Sequence, residues 1–152
     1  MGLMNALGRG PVGIDTAPFI YFIEEHPAFV RVLDELLGRI DSGKLTAVTS
    51  GITLLEVLVL PLRASNRPLA ERYRELLTRS RGLELVPVDE AVLVAAAQLR
   101  AAYPRLRTPD ALQVGTALLK GCTAFVTNDR ELPAVPGLRI VQLSDLLGSR
   151  PS

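Results

Sequence analysis

Short apolar runs alternate with longer stretches of helical periodicity along most of the chain. The apolar runs, bounded by turn-forming residues, predict buried strands at Val12–Ile14, Leu45–Thr49, Leu83–Val88, Thr123–Thr127 and Leu138–Val141. Apolar positions that recur at steps of three and four predict helices at 18–25, 29–40, 52–63, 67–79, 89–102 and 108–120. Strands separated by helices need crossover connections, so the pattern predicts a three-layer α/β/α domain around a mostly parallel sheet of about five strands.

Turn and capping residues define the expected element ends. Asp89 fits a helix N-cap, while Thr108 fits an N-cap with Pro109 at the first helical position. Gly121 is placed to end that helix, and Ser144 to cap a final short helical turn. The expected organisation is a single domain over residues 12–147, with a flexible leader at 1–11 and a flexible tail at 148–152.

Composition narrows the classes of function without choosing one. The formal net charge of the 152-residue chain is +1, which does not by itself indicate nucleic-acid binding. Lys44 and Lys120 are the only lysines, so arginine supplies nearly all of the positive charge. Arginine suits bidentate phosphate contacts, although a surface arginine is more often simply solvated.

Several kinds of site and location are disfavoured by residues that the chain lacks. Cys122 is the only cysteine and His26 the only histidine, so neither an internal disulfide nor a Cys/His zinc site can form. The first ten residues do not resemble a signal peptide, and the apolar stretch Ile52–Leu62 is too short to span a bilayer. These features favour a cytoplasmic location.

Four acidic residues occupy positions where an unpaired carboxylate is costly. Asp15 and Asp129 follow predicted strands, whereas Glu56 and Asp110 lie in the first or second turn of predicted helices. Ligands of parallel sheets bind beyond the carboxyl ends of the strands, so the loops there could bring all four acids into one cleft. Gathered carboxylates repel each other, and a hard divalent cation is the simplest counter-charge.

Each acid also has an ordinary structural interpretation. Glu56 could lie on a solvent-facing stripe of its helix or pair with an arginine, and Asp110 could simply favour the positive end of a helix dipole. Asp15 and Asp129 could be turn residues. Their spacing along the chain is therefore weak support for a common site, and their local contexts are stronger support.

Familiar nucleotide and nucleophile motifs are absent or misplaced. The segment Gly8–Gly13 matches G-x-G-x-x-G but precedes the first strand, whereas a dinucleotide-binding turn must follow one. The chain has no phosphate-binding G-x-x-x-x-G-K-[ST] loop and no G-x-S-x-G nucleophile turn.

Four segments in order resemble the PIN-domain ribonucleases, particularly the VapC-type toxins of bacterial and archaeal toxin–antitoxin pairs. The segments are Gly13-Ile14-Asp15-Thr16-Ala17-Pro18-Phe19-Ile20-Tyr21, Thr49-Ser50-Gly51-Ile52-Thr53-Leu54-Leu55-Glu56-Val57-Leu58, Thr108-Pro109-Asp110-Ala111-Leu112-Gln113-Val114-Gly115-Thr116-Ala117-Leu118 and Phe125-Val126-Thr127-Asn128-Asp129. The resemblance extends from about Val12 to Leu143.

The resemblance implies an endoribonuclease that uses Mg²⁺ or Mn²⁺. It implies that the catalytic and metal-binding acids are Asp15, Glu56, Asp110 and Asp129. It further implies that the acids or the substrate are positioned by Thr16, Ser50, Thr127 and Asn128. The cations that flank the acids in sequence, and hence the candidate RNA-binding residues, are Arg105, Arg107 and Arg130.

Surplus apolar residues suggest an interface. They are Tyr21, Phe22, Phe29, Val30 and the helix at Ile52–Leu62, although all of them could instead be core. The resemblance implies a VapB-type antitoxin and a homodimer as occupants. Two alternative functions remain open, namely a catalytically inactive binding module on the same fold, and another divalent-metal phosphohydrolase or DNA nuclease.

Overall fold

A single parallel sheet forms the centre of the structure, a computed structural model that describes residues 2–147. The strands are β1 (Val12–Ile14), β2 (Ala47–Ser50), β3 (Leu83–Val86), β4 (Ala124–Thr127) and β5 (Arg139–Gln142). Their order is β3-β2-β1-β4-β5, and every neighbouring pair is parallel. The predicted number of strands and their parallel arrangement are therefore confirmed.

Helices cover both faces of this sheet. They are α1 (Leu3–Leu7), α2 (Thr16–Ile23), α3 (Val30–Asp41), α4 (Gly51–Arg63), α5 (Arg67–Arg79), α6 (Glu90–Ala102), α7 (Thr108–Leu119) and α8 (Leu143–Leu146). Helices α6 and α7 pack with one apolar cluster, whereas α1, α2, α3, α5 and α8 pack with the other. This arrangement confirms the predicted three-layer α/β/α fold.

The strands contribute alternate side chains to these two clusters. In β4, Ala124 and Val126 belong to the cluster beneath α2 and α3, while Phe125 belongs to the cluster beneath α6 and α7. All four β4 residues are buried, as expected for a central strand of a parallel sheet with both faces covered.

Gly13 allows α7 to pack tightly onto the middle of the sheet. A Cβ atom at this position would lie 2.8 Å from the Phe125 ring and 2.9 Å from the Ala117 side chain. Both distances are shorter than ordinary van der Waals contact, so a larger residue would push α7 away from β1. This close approach positions the polar residues at the start of α7 above the end of β1.

Most predicted element ends lie within about two residues of the observed ones, and α5 begins and ends as predicted. Two predicted caps were wrong. Arg107 rather than Thr108 is the N-cap of α7, and Gln142 rather than Ser144 is the N-cap of α8. The Thr108 and Ser144 hydroxyls instead accept hydrogen bonds from Arg100 and Arg130, respectively. Gly121 ends α7 as predicted, with a φ of 71°.

The N-terminal segment differs from the expected flexible leader. Helix α1 packs Leu3, Ala6 and Leu7 into the core, and Leu7 is fully buried. Apolar burial of this kind gives a short helix a stable position that its length alone would not. The predicted tail at 148–152 lies outside the described residues.

The connections of the sheet reverse direction between β1 and β4. From β1 the chain moves to β2 and then to β3 on one side, and it later returns to β4 and β5 on the other. In open α/β sheets, such a reversal leaves a crevice beyond the carboxyl ends of the two strands, where ligands bind. Across residues 2–147, none of the helices combines the length and the apolar character needed to cross a bilayer.

Candidate active site at the strand crossover

Asp15 lies directly beyond β1, in the middle of the sheet, and is the N-cap of α2. Its Oδ1 accepts a hydrogen bond from the Thr16 N–H at 2.8 Å, and its Oδ2 accepts one from the Thr127 hydroxyl at 2.8 Å. Each carboxylate oxygen has two lone pairs, so both oxygens can accept a further partner. The protein thus fixes the orientation of Asp15 without neutralising its charge.

Glu56 is brought to the same place by the hydroxyl of Thr16. The Thr16 Oγ1 donates to Glu56 Oε1 at 2.6 Å, which links the first turn of α2 with the second turn of α4. Glu56 is half-buried although both of its neighbours along the chain are apolar. Among the described residues, Glu56 pairs with no arginine, and it is half-buried rather than on a fully exposed face of its helix.

Asp110 and Asp129 complete the group on the other side of β1. Asp110 lies in the first turn of α7, and its side chain is only 14% exposed. Arg107 Nε donates to Asp110 Oδ2 at 3.2 Å. Asp129 follows β4, and its backbone N–H donates to the Thr127 hydroxyl at 3.1 Å. Since Thr127 also donates to Asp15, this one hydroxyl fixes the positions of two of the acids.

A buried network of uncharged polar side chains supports the acids from below. The Gln113 Nε2 donates to the Thr53 hydroxyl at 2.7 Å and to the Thr16 hydroxyl at 3.2 Å, and its Oε1 accepts from the Ser50 N–H at 3.2 Å. Gln113 is only 3% exposed. One amide therefore joins the ends of β2, α2 and α4 beneath the acids.

The hydrogen-bond polarity of this network is determined by its end points. The Thr49 hydroxyl donates to the Ile14 carbonyl at 2.7 Å, so the 2.6 Å contact between Thr53 and Thr49 must use the Thr53 proton. Thr53 then accepts from Gln113, as does Thr16, whose own proton goes to Glu56. Every proton in the network is used, and Glu56 takes part only as an acceptor.

Burial and repulsion from neighbouring carboxylates raise the pKa values of Asp15 and Asp110. Burial raises the pKa of Asp15, the hydrogen bonds from Thr127 and Thr16 oppose that rise, and the charges of Asp110 and Glu56 add to it. Burial likewise raises the pKa of Asp110, against its pairing with Arg107 and together with the charges of Asp129 and Glu131. These carboxylates are therefore close enough to destabilise one another.

The raised pKa values make the stability of the ion-free protein depend on pH. Stabilisation from protonated Asp15 is fully present below its ordinary pKa of 3.8 and is lost as pH rises through the higher folded-state pKa. Asp15→Asn removes the repelled charge, so in excess chelator we expect the melting temperature of this variant to rise relative to that of wild type as pH increases from 4 to 8. Thermal melts of both proteins from pH 4 to pH 8 measure this difference.

The matched control for this pH dependence is Asp34→Asn at an exposed aspartate on α3. The difference in melting temperature between Asp15→Asn and wild type should grow as pH rises, while Asp34→Asn should follow wild type. A difference between Asp15→Asn and wild type that stays constant from pH 4 to pH 8 would contradict the conclusion that the ionised carboxylate is destabilising.

The arrangement fits a hard divalent cation that keeps part of its water shell. Asp15, Glu56 and Asp129 form no ion pair with any residue in the 2–147 range, so a positive charge would relieve their repulsion. In that same range, no three His, Cys, Asp or Glu side chains are grouped closely enough to hold one ion together. Mg²⁺ binds proteins through one or two carboxylates and retains several waters, which agrees with this spacing.

The other residues predicted to position the acids or to bind RNA differ in burial and in partners. Ser50 caps α4 by accepting from the Ile52 N–H, and Asn128 is half-buried between Thr127 and Asp129. Arg105 and Arg107 are exposed in the loop before α7. Arg130 is also exposed, and it pairs with Asp145 at 2.7 Å on the side of α8.

Sequence reasoning did not identify Gln113, Thr53 or Glu131. Gln113 lies three residues after Asp110 on α7, and Thr53 lies three residues before Glu56 on α4, so each shares a helix face with an acid. A polar residue at that spacing in an otherwise apolar helix was the available signal. Glu131 gave no signal, because the turn that places its charge beside Asp110 depends on Asp129 accepting its N–H.

The single histidine and the single cysteine lie apart from the acids. His26 packs against the stacked rings of Tyr21 and Phe29, and its Nδ1 accepts from the Ala28 N–H. Cys122 is buried in the core, as predicted, and this burial raises the pKa of its thiol to about 11. A thiol with that pKa stays protonated near neutral pH and is a poor nucleophile.

The sequence and the fold both have known counterparts. Residues 12–138 match the family model described as PIN domain. No curated protein matches the sequence significantly. The chain is similar to VapBC2 from Rickettsia felis bound to a DNA fragment from its promoter, with a TM-score of 0.67, 18% identity, and coverage of 87% of this chain and 98% of that one.

Two further solved structures share the fold. A toxin–antitoxin complex from Klebsiella pneumoniae matches with a TM-score of 0.64 and 20% identity, over 88% of this chain and 97% of that chain. A DNA-bound VapBC from Salmonella typhimurium matches with a TM-score of 0.61 and 25% identity, over 90% of this chain and 99% of that chain.

Proposed function

Because the chain belongs to the PIN domain family, we propose that it is a divalent-metal-dependent endoribonuclease and the toxin of a VapBC-type toxin–antitoxin pair. The observation that carries this proposal is the gathering of acids from distant parts of the chain at the strand crossover. The charges of Glu56 and Asp110 repel that of Asp15 there, and Asp15 and Glu56 are held in place by hydroxyl groups rather than by cations.

The residues proposed to hold Mg²⁺ or Mn²⁺ are Asp15, Glu56, Asp110 and Asp129, some directly and others through water. A bound divalent ion would supply Lewis-acid stabilisation of the charge on the phosphate and would lower the pKa of water near it. Asp15 needs no side-chain rearrangement to bind, since Thr16 and Thr127 already hold both of its oxygens. Thr16 holds Glu56 Oε1, which leaves Oε2 to accept a proton from water or to bind the ion.

Phosphodiester hydrolysis also requires positive charge around the phosphate. Arg105 and Arg107 extend from the loop beside Asp110, and we propose that they contact the RNA backbone. The Arg107 side chain is 75% exposed although it pairs with Asp110, so a phosphate can reach its guanidinium group. Arg130 is the least favourable of the three candidates, because Asp145 and Ser144 already accept hydrogen bonds from it.

The antitoxin and a second copy of the chain are the proposed protein partners. Helix α4 exposes Leu55, Val59, Leu60 and Leu62, which supports an interface on this helix. Phe29, in contrast, is 8% exposed and belongs to the core, so it does not contribute to such a surface. Exposed apolar groups of this kind are more typical of interaction sites than of a free surface.

Cleavage of RNA that requires added metal is the expected result for the purified protein. A labelled single-stranded RNA should be cut in Mg²⁺ or Mn²⁺, should remain intact in excess EDTA, and should be cut again after metal is restored. A DNA oligonucleotide of the same sequence should be cut much more slowly, and gel electrophoresis measures both reactions. Faster cutting of DNA would favour the DNA-nuclease alternative, and cutting of RNA in excess chelator would exclude the metal-dependent mechanism.

A further inference from the structure

A cavity of about 480 Å³ opens directly beside the acidic group. Asp110 and Asp129 form one end of it, and its walls come from the loop between α6 and α7 and from the loop after β4. Tyr103, Leu106, Leu132 and Pro133 supply apolar lining. Volumes between 300 and 1,000 Å³ are typical of small-ligand sites that combine an apolar wall with a few polar groups.

We propose that this cavity is a nucleobase subsite, in which the Tyr103 ring stacks on one unpaired base of the RNA next to the phosphate that is cut. The inference deepens the proposed nuclease function and rests on it, because the base lies in the cavity while its own phosphate lies at the proposed metal site beside Asp110 and Asp129. Proteins that read single-stranded RNA commonly stack unpaired bases on aromatic rings or on arginine guanidinium groups.

The charges around the cavity favour a base over a phosphate group. Three carboxylates line it, those of Asp110, Asp129 and Glu131, against the two guanidinium groups of Arg105 and Arg107. The carboxylates outnumber the guanidinium groups, and both arginines are exposed, so the walls of the cavity itself would repel a phosphate. A neutral base avoids that repulsion, and its amino groups can donate to a carboxylate.

The wall that carries Tyr103 is held in place before any ligand binds. Arg100 on α6 donates from Nε to the Leu106 carbonyl at 3.0 Å and from Nη1 to the Thr108 hydroxyl at 3.0 Å. Leu106 is itself 5% exposed, and its N–H donates to the Tyr103 carbonyl at 2.9 Å. A loop braced in this way loses little conformational entropy when a ligand binds, and this favours affinity.

The opposite wall is braced as well. The Asp129 carboxylate accepts from the Glu131 N–H at 2.9 Å, and its carbonyl accepts from Gln142 on β5 at 3.0 Å. Leu132 is partly buried against the same apolar cluster as Tyr103. One wall is therefore held by α6 and the other by β5, and Asp110 and Asp129 line the cavity together with these walls.

A double-mutant cycle with an abasic RNA tests the stacking contact. The substrate is a short RNA that wild type cuts at one site, together with versions that lack one base on either side of that site. Removing the stacked base should raise the wild-type KM about 5-fold to 150-fold, the range that stacking on an aromatic ring supplies. Tyr103→Ala should show the same loss on intact RNA and no further loss on the abasic RNA.

Three variants keep this test independent of folding. Tyr103→Phe retains the ring and should behave as wild type, whereas Leu132→Ala on the opposite wall should weaken the same base preference. Leu119→Ala, an exposed leucine at the far end of α7, should leave KM unchanged. Fully additive losses from Tyr103→Ala and the abasic RNA would overturn the proposal, as would an unchanged KM in Tyr103→Ala, the result expected if the cavity binds a protein segment instead.

Failure of the proposed nuclease function would have a different signature. If wild type cuts no RNA, the same cycle is measured by fluorescence anisotropy as the Kd of wild type and of Tyr103→Ala for a short single-stranded RNA from which one base is removed at each position in turn. Non-additive losses in Kd would support the base subsite without the nuclease activity, and the absence of any RNA binding would overturn both.

Discussion

Asp15→Asn is expected to abolish metal-dependent RNA cleavage while leaving the fold intact. The substitution keeps the size of the side chain but removes the charge at the centre of the acidic group, and its single amide oxygen can accept from the Thr16 N–H or from the Thr127 hydroxyl but not from both. A bound ion contributes several kcal/mol to stabilising a phosphoryl transition state, and every 1.36 kcal/mol is tenfold in rate. We therefore expect kcat/KM to fall by at least about 10³-fold, as measured on labelled RNA at saturating Mg²⁺.

A control for charge and a control for ion binding make this result specific. Asp34→Asn changes the net charge equally at an exposed position on α3 and should cleave RNA at the wild-type rate. Mn²⁺ should raise the melting temperature of wild type more than that of Asp15→Asn, because a ligand that binds only the folded state stabilises it. Residual cleavage by Asp15→Asn within tenfold of wild type would remove this residue from the mechanism.

Gln113→Leu should lower both stability and activity, because its amide joins three elements beneath the acids. Leucine fills a similar volume but leaves the Ser50 N–H without an acceptor and the Thr16 and Thr53 hydroxyls without a donor. Each buried polar group that loses its partner costs about 1–3 kcal/mol. We expect a loss of about 2–4 kcal/mol, or a drop of about 5–15 °C in melting temperature for a domain of this size.

The activity of this variant separates a positioning role from a purely structural one. Because Gln113 acts on Glu56 only through Thr16, its loss should weaken metal binding or kcat about 10-fold to 100-fold at temperatures where the variant is fully folded. Gln98→Leu, the same change at an exposed position of α6, is the matched control. If the folded Gln113→Leu protein shows the wild-type metal dependence, then the amide contributes to stability alone.

The sheet was predictable because each of its elements has a strong local signal. The buried runs of β1 and β4 are apolar and short, and α5 has a clear helical period with Asn66 at its N-cap. The caps predicted at Thr108 and Ser144 were wrong because α7 already begins at Thr108 and α8 at Leu143, and the two hydroxyls instead accept from Arg100 and Arg130. Helix α1 was missed because five residues give too short a periodic signal.

The candidate site was predictable only in part. Asp15 and Asp129 follow strands, so their position at one edge of a parallel sheet comes directly from the strand pattern. Sequence could not indicate that the Thr127 hydroxyl holds both of them, since that contact joins residues 112 positions apart. Nor could it indicate the cavity beside Tyr103, which is enclosed by two loops from different parts of the chain.

The order of apolar and polar residues by itself determined the alternation of strands and helices, and with it the edge of the sheet where the acids must lie. Backbone geometry imposes this result, because parallel strands joined by helices all end at one edge. Only the tertiary structure decided which carboxylates are close, which hydroxyls orient them and which cavity lies beside them. Those properties depend on distances between side chains far apart in sequence, such as Asp15 and Thr127, which are 112 positions apart.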